Sequence, residues 1–305
     1  MDRIDAIRAF VAVVDEGNLA KAAIRLARSP AALTRTIAFL ERAVGVQLLH
    51  RTTRTTHLSE AGERYVVACR RILADLEEAN LAAIGTRGAA CGLLTVTAPV
   101  LFGTRILGPV VDAFLAEFPA VQIRYLLLDR QVGLMEEGID VALRIAQLAD
   151  SGLIAIRVGD VRRVVAAAPR YLEGRPPIRT PSDLPAHNCI SRSEVGQEDV
   201  WTFPPRPGTT AHRNIRIAPR LSVNSIESTI RTAADAHGII RPLSYQIEEE
   251  VRDGRLQIIL RDAEPAALPV HLLAPASRLA MPKVRAFVDF AAPRLRSKLQ
   301  EWEST

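Results

Sequence analysis

Cysteine is scarce in this sequence, with only Cys69, Cys91 and Cys189 among 305 residues. Their odd number and wide spacing, with no Cys-x-x-Cys pair, exclude a disulfide scaffold and a cysteine-based zinc site. Unpaired cysteines are typical of a reducing compartment, so we expect a cytoplasmic protein.

Long apolar runs are missing as well. The longest stretch without Asp, Glu, Lys or Arg is 88–104, which has 17 residues and contains Pro99 and three glycines. A membrane-spanning helix needs about 20 apolar residues, so this stretch is too short and too interrupted. Acidic residues such as Asp2 and Asp5 near the N-terminus are also unlike a signal peptide. We therefore expect no membrane partner.

The common catalytic motifs are absent too. No two of the 17 glycines are separated by a single residue and no lysine follows a glycine, which excludes dinucleotide-binding and Walker A loops. The G-x-S-x-G and H-E-x-x-H motifs do not occur. The histidines are scattered, and we interpret the closest pair, His50 and His57, as structural or phosphate-near residues. The sequence predicts no catalytic residues, no metal site and no cofactor.

What the sequence does have is a local basic block. The window 17–59 contains seven basic residues and one acid, Glu41, and has a net charge of +6. Because the whole chain carries +5, the remaining residues together carry −1. Arginine richness throughout the chain would not concentrate the excess in one segment. This concentration indicates a module that binds a polyanion, attached to a nearly neutral body.

Apolar spacing predicts three short helices in this part of the chain. A first amphipathic helix ends at Gly17, and a second covers 19–27. Ser29 followed by Pro30 is a strong start signal for a third helix. The third helix has apolar residues at intervals of four, three and four, namely Leu33, Ile37, Leu40 and Val44.

The opposite side of the third helix carries small and basic residues, which allow close approach to a DNA groove and bidentate contact with a guanine. After Gly45, two β-prone runs flank the basic segment 50–56 and predict a hairpin whose tip touches phosphates. Together these elements predict a helix-turn-helix with a wing. The alternative is a three-helix core with an ordinary solvated basic face.

These residues resemble the LysR-type transcriptional regulators. The resemblance rests on S-P-A-A-L-T-R-T-I-x-x-L-E at 29–41, G-V-x-L-L-x-R-T-T-R at 45–54 and L-S-E-A-G at 58–62. It implies a winged helix-turn-helix over 1–58 that binds double-stranded DNA. The expected DNA contacts are Ser29, Ala31, Ala32, Thr34 and Arg35 in the third helix and Arg51, Thr52 and Arg54 in the wing.

A long helix follows over 59–88, capped by Ser59. Its apolar residues have a mean spacing of 3.5, typical of a coiled-coil seam, and they are Tyr65, Cys69, Ile72, Leu76, Ala79 and Ala83. The resemblance implies that this linker helix forms a homodimer, with a tetramer as the further assembly. The alternative is a single helix packed on its own protein, which gives a similar spacing.

From residue 89 onward, strand and helix patterns alternate, which predicts α/β architecture. We expect a short helix at 132–137, and we expect 269–274 and a final helix at 282–299 to return to the first lobe. The predicted first lobe is 89–162 with 268–305, and the second is 163–267. The order of motifs, from L-T-V-T-A-P at 94–99 to L-P-V-H-L at 268–272, resembles the LysR effector-binding domain. That resemblance implies two lobes like those of a periplasmic solute-binding protein.

Such a domain offers a cleft at the carboxyl ends of its strands. In the resembled family, two loops face one another across an effector cleft. The corresponding positions are Pro99, Val100, Leu101 and Phe102 in the first lobe and Asn224 and Ser225 in the second. Arg144, at a strand end, could meet a carboxylate of the effector. A salt bridge to Asp140 or Asp150 is an equally good interpretation of Arg144.

The combined pattern predicts a sequence-specific DNA-binding transcriptional regulator whose C-terminal domain binds a small-molecule effector. Two other classes of protein remain open at this point. An architectural DNA-binding protein would lack a ligand response, which ligand-dependent thermal shifts would detect. A solute-binding protein or enzyme with an accessory basic domain would bind or turn over a solute without operator specificity.

Overall fold

The computed structural model describes residues 2–51, 56–83, 90–130, 132–148, 152–192, 199–205 and 208–303. The N-terminal part contains helices and a two-stranded antiparallel hairpin in which Leu49 pairs with Leu58. Its elements are α1 (Arg3–Glu16), α2 (Leu19–Arg25), α3 (Pro30–Val44), β1 (Leu49–Arg51), β2 (Thr56–Leu58) and α4 (Glu60–Ala83).

Side-chain caps begin the first three helices. Asp2 accepts from the backbone N–H of Ile4, Asn18 from those of Ala20 and Lys21, and Ser29 from that of Ala32. These caps satisfy backbone donors that have no partner within the helix. The predicted start of α3 at Ser29–Pro30 is therefore confirmed, and α3 buries Leu33, Ile37 and Leu40 as its spacing indicated.

The hairpin is fixed against the helices by two polar residues and one glycine. Glu41 of α3 accepts hydrogen bonds from the backbone N–H groups of Leu48 and Leu49, at 2.9 and 3.1 Å. The Ser59 hydroxyl donates to the Gln47 carbonyl and accepts from the N–H of Gly62, which caps α4. A Cβ at Gly62 would overlap the carbonyl oxygen of Leu48, so the hairpin and α4 meet backbone to backbone.

The long helix α4 begins in the N-terminal core and ends near the first lobe. Val66 and Cys69 are buried in the core formed by the first three helices, and Tyr65 lies 6.0 Å from the ring of Phe10. Packing on its own protein, the alternative interpretation of this helix, therefore describes its first three turns. Ile72 is 41% exposed and Val67 is 38% exposed. The side chains of Ala79 and Ala83 lie outside the described residues.

The first lobe is a five-stranded sheet. Its strands, in spatial order, are β4 (Val121–Leu127), β3 (Gly92–Ala98), β5 (Val141–Ile145), β13 (Leu268–Pro275) and β6 (Leu153–Val161). Strands β3, β4 and β5 are parallel, whereas β13 runs antiparallel to β5 and β6. The stacked rings of Phe114 and Phe118 pack against Phe287 and Phe290 of the last helix, so the C-terminal part of the chain completes this lobe. The elements up to β6 are β3 (Gly92–Ala98), α5 (Val100–Phe102), α6 (Gly108–Glu117), β4 (Val121–Leu127), β5 (Val141–Ile145) and β6 (Leu153–Val161).

The second lobe consists of short paired strands around one amphipathic helix. Ile239 and Ile240 bridge β8 to β7, which extends the pairing of β12 with β7 and of β11 with β8. Its elements are β7 (Val165–Ala167), α7 (Pro169–Leu172), β8 (Cys189–Ser191), β9 (Val200–Phe203), β10 (Arg213–Arg216), β11 (Pro219–Ser222), α8 (Ile226–Ala234), α9 (Glu248–Arg252) and β12 (Gln257–Ile259). The chain then returns to the first lobe with β13 (Leu268–Pro275), α10 (Ala276–Leu279) and α11 (Pro282–Glu303).

Two local predictions differ from the structure. The segment 132–137 was expected to be helical but contains turns, because Leu134 packs with Ala142 and Leu273 in a small separate cluster. The nine-residue strand β6 was not anticipated, since Gly152, Gly159 and the charged pair Arg157–Asp160 resemble turn signals. In β6 the ladder with β13 contains a bulge between Val270 and His271, which absorbs the irregularity. The numerical domain boundaries stay a prediction.

Candidate DNA interface and ligand cavity

The start of α3 presents the surface on which the expected base contacts lie. Ser29, Ala31 and Arg35 are exposed, and Ala32 and Thr34 are half-buried. Leu33 and Ile37, on the other side of the helix, are fully buried. The structure therefore places the five predicted residues together on or beside the outer face of α3. Ser29 also caps the helix, so its hydroxyl is engaged by the N–H of Ala32.

Ion pairs divide the basic block into two groups. Arg28 donates twice to the carboxylate of Asp5, at 2.7 and 2.8 Å, and Arg25 pairs with Glu16 at 3.2 Å. These two arginines are therefore held against α1. Arg35 makes no hydrogen bond or ion pair with any residue that the structure describes, so its guanidinium keeps all its donors. The sequence alone does not distinguish Arg25 and Arg28 from Arg35, because the acids that pair with them lie before the basic window 17–59.

The hairpin lies beside α3 with the geometry of a wing. Arg51 ends β1 opposite Thr56, and His50 is opposite His57. Thr52 and Arg54, the other predicted wing contacts, lie outside the described residues. Glu41 and Gly62 anchor the described part of the hairpin, and Arg51 stands at the end of β1.

The chain crosses between the lobes in two segments, at 161–164 and 263–269. A cavity of about 310 Å³ opens in the second lobe, and Arg163 of the first crossing segment lines it. Such a volume is at the lower end of the range for small-molecule sites. Its walls combine apolar groups, including Trp201 and Ile226, with polar ones. The residues that line it are Arg163, Ile190, Ser191, Arg192, Asp199, Val200, Trp201, Ile226, Thr229, Arg241, Pro242, Leu243 and Gln246.

Three arginines are the main charged groups of this cavity. Burial and the neighbouring charge of Arg192 lower the pKa of Arg163. Burial, with the charge of Arg163 as a second cause, lowers the pKa of Arg241 to about 10. Arg241 lies 4.5 Å above the ring of Phe203 and donates to the carbonyl of Thr202, but its buried Nε has no hydrogen-bond partner among the described residues. Repulsion between these arginines therefore raises the free energy of the unliganded cavity.

Contacts between the lobes surround this region. Arg192 of the second lobe pairs with Asp129 of the first at 3.2 Å, and Asp129 also accepts from the backbone N–H of Val100. The ring of Phe102 meets that of Tyr245 edge-on at 5.2 Å. Arg105 donates to the carbonyl of Gln246 and pairs with Glu249 and Glu250. The two lobes are thus in polar and aromatic contact beside the cavity.

None of the predicted effector residues belongs to the lining of this cavity. Leu101 and Phe102 are buried, and Pro99 precedes the short helix α5. Asn224 is exposed, and Ser225 caps α8 by accepting from the N–H of Ser228. The same end of α8 contributes Ile226 and Thr229 to the cavity. The role of the predicted residues in effector binding stays a prediction.

Arg144 lies on β5 opposite His271 of β13. Its Nη1 donates weakly to the Leu143 carbonyl, and its buried Nη2 has no partner in the part of the chain that the structure describes. Burial lowers the pKa of Arg144, and its main electrostatic neighbour is Glu137 rather than Asp140. Asp140 instead pairs with Arg278, at 3.3 Å. Asp150 lies outside the described residues, so the contact of Arg144 with an effector stays a prediction.

Sequence reasoning missed the cavity arginines, although a signal was present. Arg163 directly precedes the apolar run 164–168, and Arg241 directly follows the buried pair Ile239 and Ile240. A charged residue within an otherwise buried apolar run indicates a partner or a ligand. Arg192 carries no such signal, because its neighbours are polar.

Two family models match this chain. One, described as "Bacterial regulatory helix-turn-helix protein, lysR family", matches residues 4–63, and the other, described as "LysR substrate binding domain", matches residues 87–296. The chain belongs to the LysR family of transcriptional regulators. The predicted fold class is confirmed, and so is the function as a DNA-binding regulator with an effector-binding domain. Among the described helices, none is long and apolar enough to cross a membrane.

Full-length relatives and solved structures agree with this assignment. The transcriptional regulator PtxR from Pseudomonas aeruginosa is 31% identical over 286 residues, which cover 94% of this chain and 91% of that protein. The structure of CrgA from Neisseria meningitidis has a TM-score of 0.61 at 26% identity. The match covers 95% of this chain and 98% of CrgA. AphB, a virulence activator from Vibrio cholerae, has a TM-score of 0.59 at 26% identity, with coverage of 95% of this chain and 98% of AphB.

Proposed function

We propose that this LysR-family regulator binds operator DNA as a homo-oligomer and that a small molecule, bound in the cavity of the second lobe, changes that binding. The observation that carries the DNA part is Arg35, which is exposed at the start of α3 and unpaired among the described residues. Two other arginines of the basic block are held by acids of α1. Arg35 is therefore free to donate to a guanine, and the small side chain of Ala31 lets α3 approach the groove.

The ligand part rests on the cavity and its setting. Its lining includes residues next to both the crossing segments and the lobe contacts, so a ligand there can favour one arrangement of the lobes. A solved relative of the same fold, LysG from Corynebacterium glutamicum, is described with a bound effector, arginine. That observation supports an effector role for this domain. We propose that the activity of this domain is binding rather than catalysis. We also propose that the protein acts in the cytoplasm, which contains DNA and keeps cysteines reduced, as the three free cysteines of this chain require.

The experiment that tests this function compares DNA affinities of three variants across a set of operator sequences. Arg35→Ala should cost about 1–3 kcal/mol and relax specificity at particular base pairs, because a base contact is lost. The double variant Arg51→Ala with Arg54→Ala should lower the affinity for all sequences alike, because phosphate contacts are lost. The slope of log affinity against log salt concentration should fall by about one unit for each arginine. Arg220→Gln, an exposed change in the second lobe, serves as the control.

A uniform loss for Arg35→Ala would reassign that residue to phosphate contact. An operator affinity that stays unchanged in Arg35→Ala and in the double wing variant would reject the proposed interface. A purely architectural role would be indicated by equal affinity of the wild-type protein for all sequences.

A further inference from the structure

We propose that the cavity of the second lobe takes a small organic acid whose carboxylate is held by Arg163 and Arg241. This inference deepens the proposed function, because it rests on the cavity being the effector site, and it names the chemical class of the effector. It follows from the charge, the hydrogen bonding and the size of the cavity, which are independent observations.

The charge of the lining is the first observation. Among the lining residues that the structure describes, Arg163, Arg192 and Arg241 face one acid, Asp199. Arg192 is neutralised from outside by Asp129, at 3.2 Å. The remaining lining, with two arginines and one aspartate, has a net charge of +1. One carboxylate therefore balances the cavity while the Asp129–Arg192 pair stays intact.

The hydrogen bonding of the neutral polar residues is the second observation. Ser191 donates to Asp199, and Thr229 donates to the carbonyl of Ser225. Gln246 accepts from the N–H of Leu243 with its oxygen and donates to Tyr245 with its nitrogen. These side chains are engaged within the protein, so the charged donors left over in the described lining are those of the arginines.

The hydrogen-bond donors that remain without an acceptor in the described lining belong to Arg163 and Arg241. Arg163 forms no hydrogen bond or ion pair with any residue in the part of the chain that the structure describes. The Nε of Arg241 is buried without a partner. A buried donor that stays unsatisfied costs free energy. A carboxylate supplies acceptors in the planar arrangement that a guanidinium prefers, which makes it the matching ligand group.

The size and the apolar walls restrict the rest of the ligand. A cavity of about 310 Å³ holds a molecule no larger than about one substituted ring or a short alkyl chain. Trp201, Ile190 and Ile226 supply apolar surface opposite the charged groups. The ligand is thus a monocarboxylate with a compact apolar body.

The test uses matched pairs of acids and amides of nearly equal shape. Benzoate and hexanoate, with benzamide and hexanamide as uncharged counterparts, are titrated against the full chain by calorimetry and thermal shift, at constant ionic strength in chloride. At least one acid should bind at least about tenfold more tightly than its amide, because charge-assisted hydrogen bonds are lost in the amide. Acids that shift the melting temperature no more than chloride does, or amides that bind equally well, would overturn the proposal.

Variants locate the carboxylate. Arg163→Gln should remove the preference for the acid without lowering the melting temperature of the unliganded protein, because it also removes repulsion between arginines. Arg163→Lys should retain part of the preference, and Arg220→Gln should retain all of it. An acid preference that persists unchanged in Arg163→Gln would place the carboxylate elsewhere and overturn the assignment.

The operator-binding assay separates this inference from the proposed function. If operator binding is sequence-specific and responds to the neutral amides but not to the acids, the regulator function stands and the ligand class is wrong. If sequence-specific DNA binding is absent, the proposed function is wrong, whether or not the acids bind to the cavity.

Discussion

Ala27 shows how a single residue shapes the DNA-binding surface. It connects α2 to α3 with φ 51°, a left-handed conformation that places the following Ser29 at the start of α3. This region costs about 1–2 kcal/mol for a residue with a Cβ. The helix-turn-helix therefore contains a strained turn that the chain compensates through the Arg28–Asp5 ion pair and the buried core around it.

Ala27→Gly should raise the free energy of unfolding by up to about 1 kcal/mol. Relief of the left-handed strain exceeds the extra unfolded-state entropy of glycine, which is about 0.5–1 kcal/mol. Urea unfolding of the full chain measures the change. The control is Ala38→Gly inside α3, which should lower stability by about 1 kcal/mol. A loss of stability in both variants would show that the turn carries no strain.

The sequence predicted the DNA surface better than the ligand cavity, for a physical reason. Ser29, Ala31 and Arg35 lie on one helix, and helical periodicity alone places them on one face. Arg163 and Arg241 come from segments almost 80 residues apart, joined only through the short bridges around Ile240. No local spacing connects such positions, so only the assembled fold reveals the cluster.

At the scale of elements, ion pairs in the middle of α4 connect it to α1 on one side and to the first lobe on the other. Arg70 pairs with Asp15 of α1 at 2.6 Å. Further along the helix, Asp75 forms an ion pair with Arg278 at 2.8 Å. Arg278 also forms an ion pair with Asp140 of the first lobe, at 3.3 Å. Arg278 is buried, so this contact is a firm connection between the linker helix and the lobe.

Arg278→Ala should lower the free energy of unfolding by about 3 kcal/mol, because it leaves the buried carboxylate of Asp140 without its arginine. Urea unfolding monitored in the far ultraviolet measures this loss. Arg285→Ala is the matched control, since Arg285 forms an exposed pair with Asp289 within α11 and should contribute less than about 0.5 kcal/mol. Equal effects of the two substitutions would mean that the Arg278 contact is not a firm connection.

Other elements were predictable only in part. Apolar spacing predicts the strands at 93–98, 121–128 and 139–145 of the five-stranded sheet, whereas Gly159 and the bulge beside it conceal β6. Gly159 is required because Leu299 of α11 comes within 2.7 Å of where a Cβ would be. The turn at 132–137 has apolar residues at helix-like intervals, but tertiary packing of Leu134 overrides that local preference.

At the scale of the whole molecule, the two lobes meet through two crossing segments and a few side-chain contacts. Arg162 and Glu264, one from each crossing segment, form an ion pair at 3.0 Å. Asp129, Phe102 and Arg105 of the first lobe make further contacts with the second lobe, outside the crossing segments. A ligand that changes the lobe arrangement must act on DNA through α4 and the contacts between subunits. Coupling of this kind is typically about 1–3 kcal/mol, so an effector should modulate operator binding rather than abolish it.

The last prediction concerns the assembly that this coupling needs. Ile72 is an exposed apolar residue on α4, one turn from the half-buried Leu76, and both belong to the predicted seam. Ile72→Glu should place a charge on the subunit contact and give monomers or weak dimers in sedimentation experiments. Operator affinity should fall as well, because two recognition helices on one dimer address two half-sites about one helical turn apart or a multiple of it.

Arg64→Gln, which changes the charge by the same one unit at an exposed position of the same helix, should leave the dimer intact. Tyr65 and Cys69 cannot serve this purpose, because they pack in the N-terminal core and their substitution would unfold it. If the double variant Ile72→Glu with Leu76→Glu still sediments as a dimer with normal operator affinity, α4 is not the subunit contact. The effector signal would then have to reach a second subunit through the lobes.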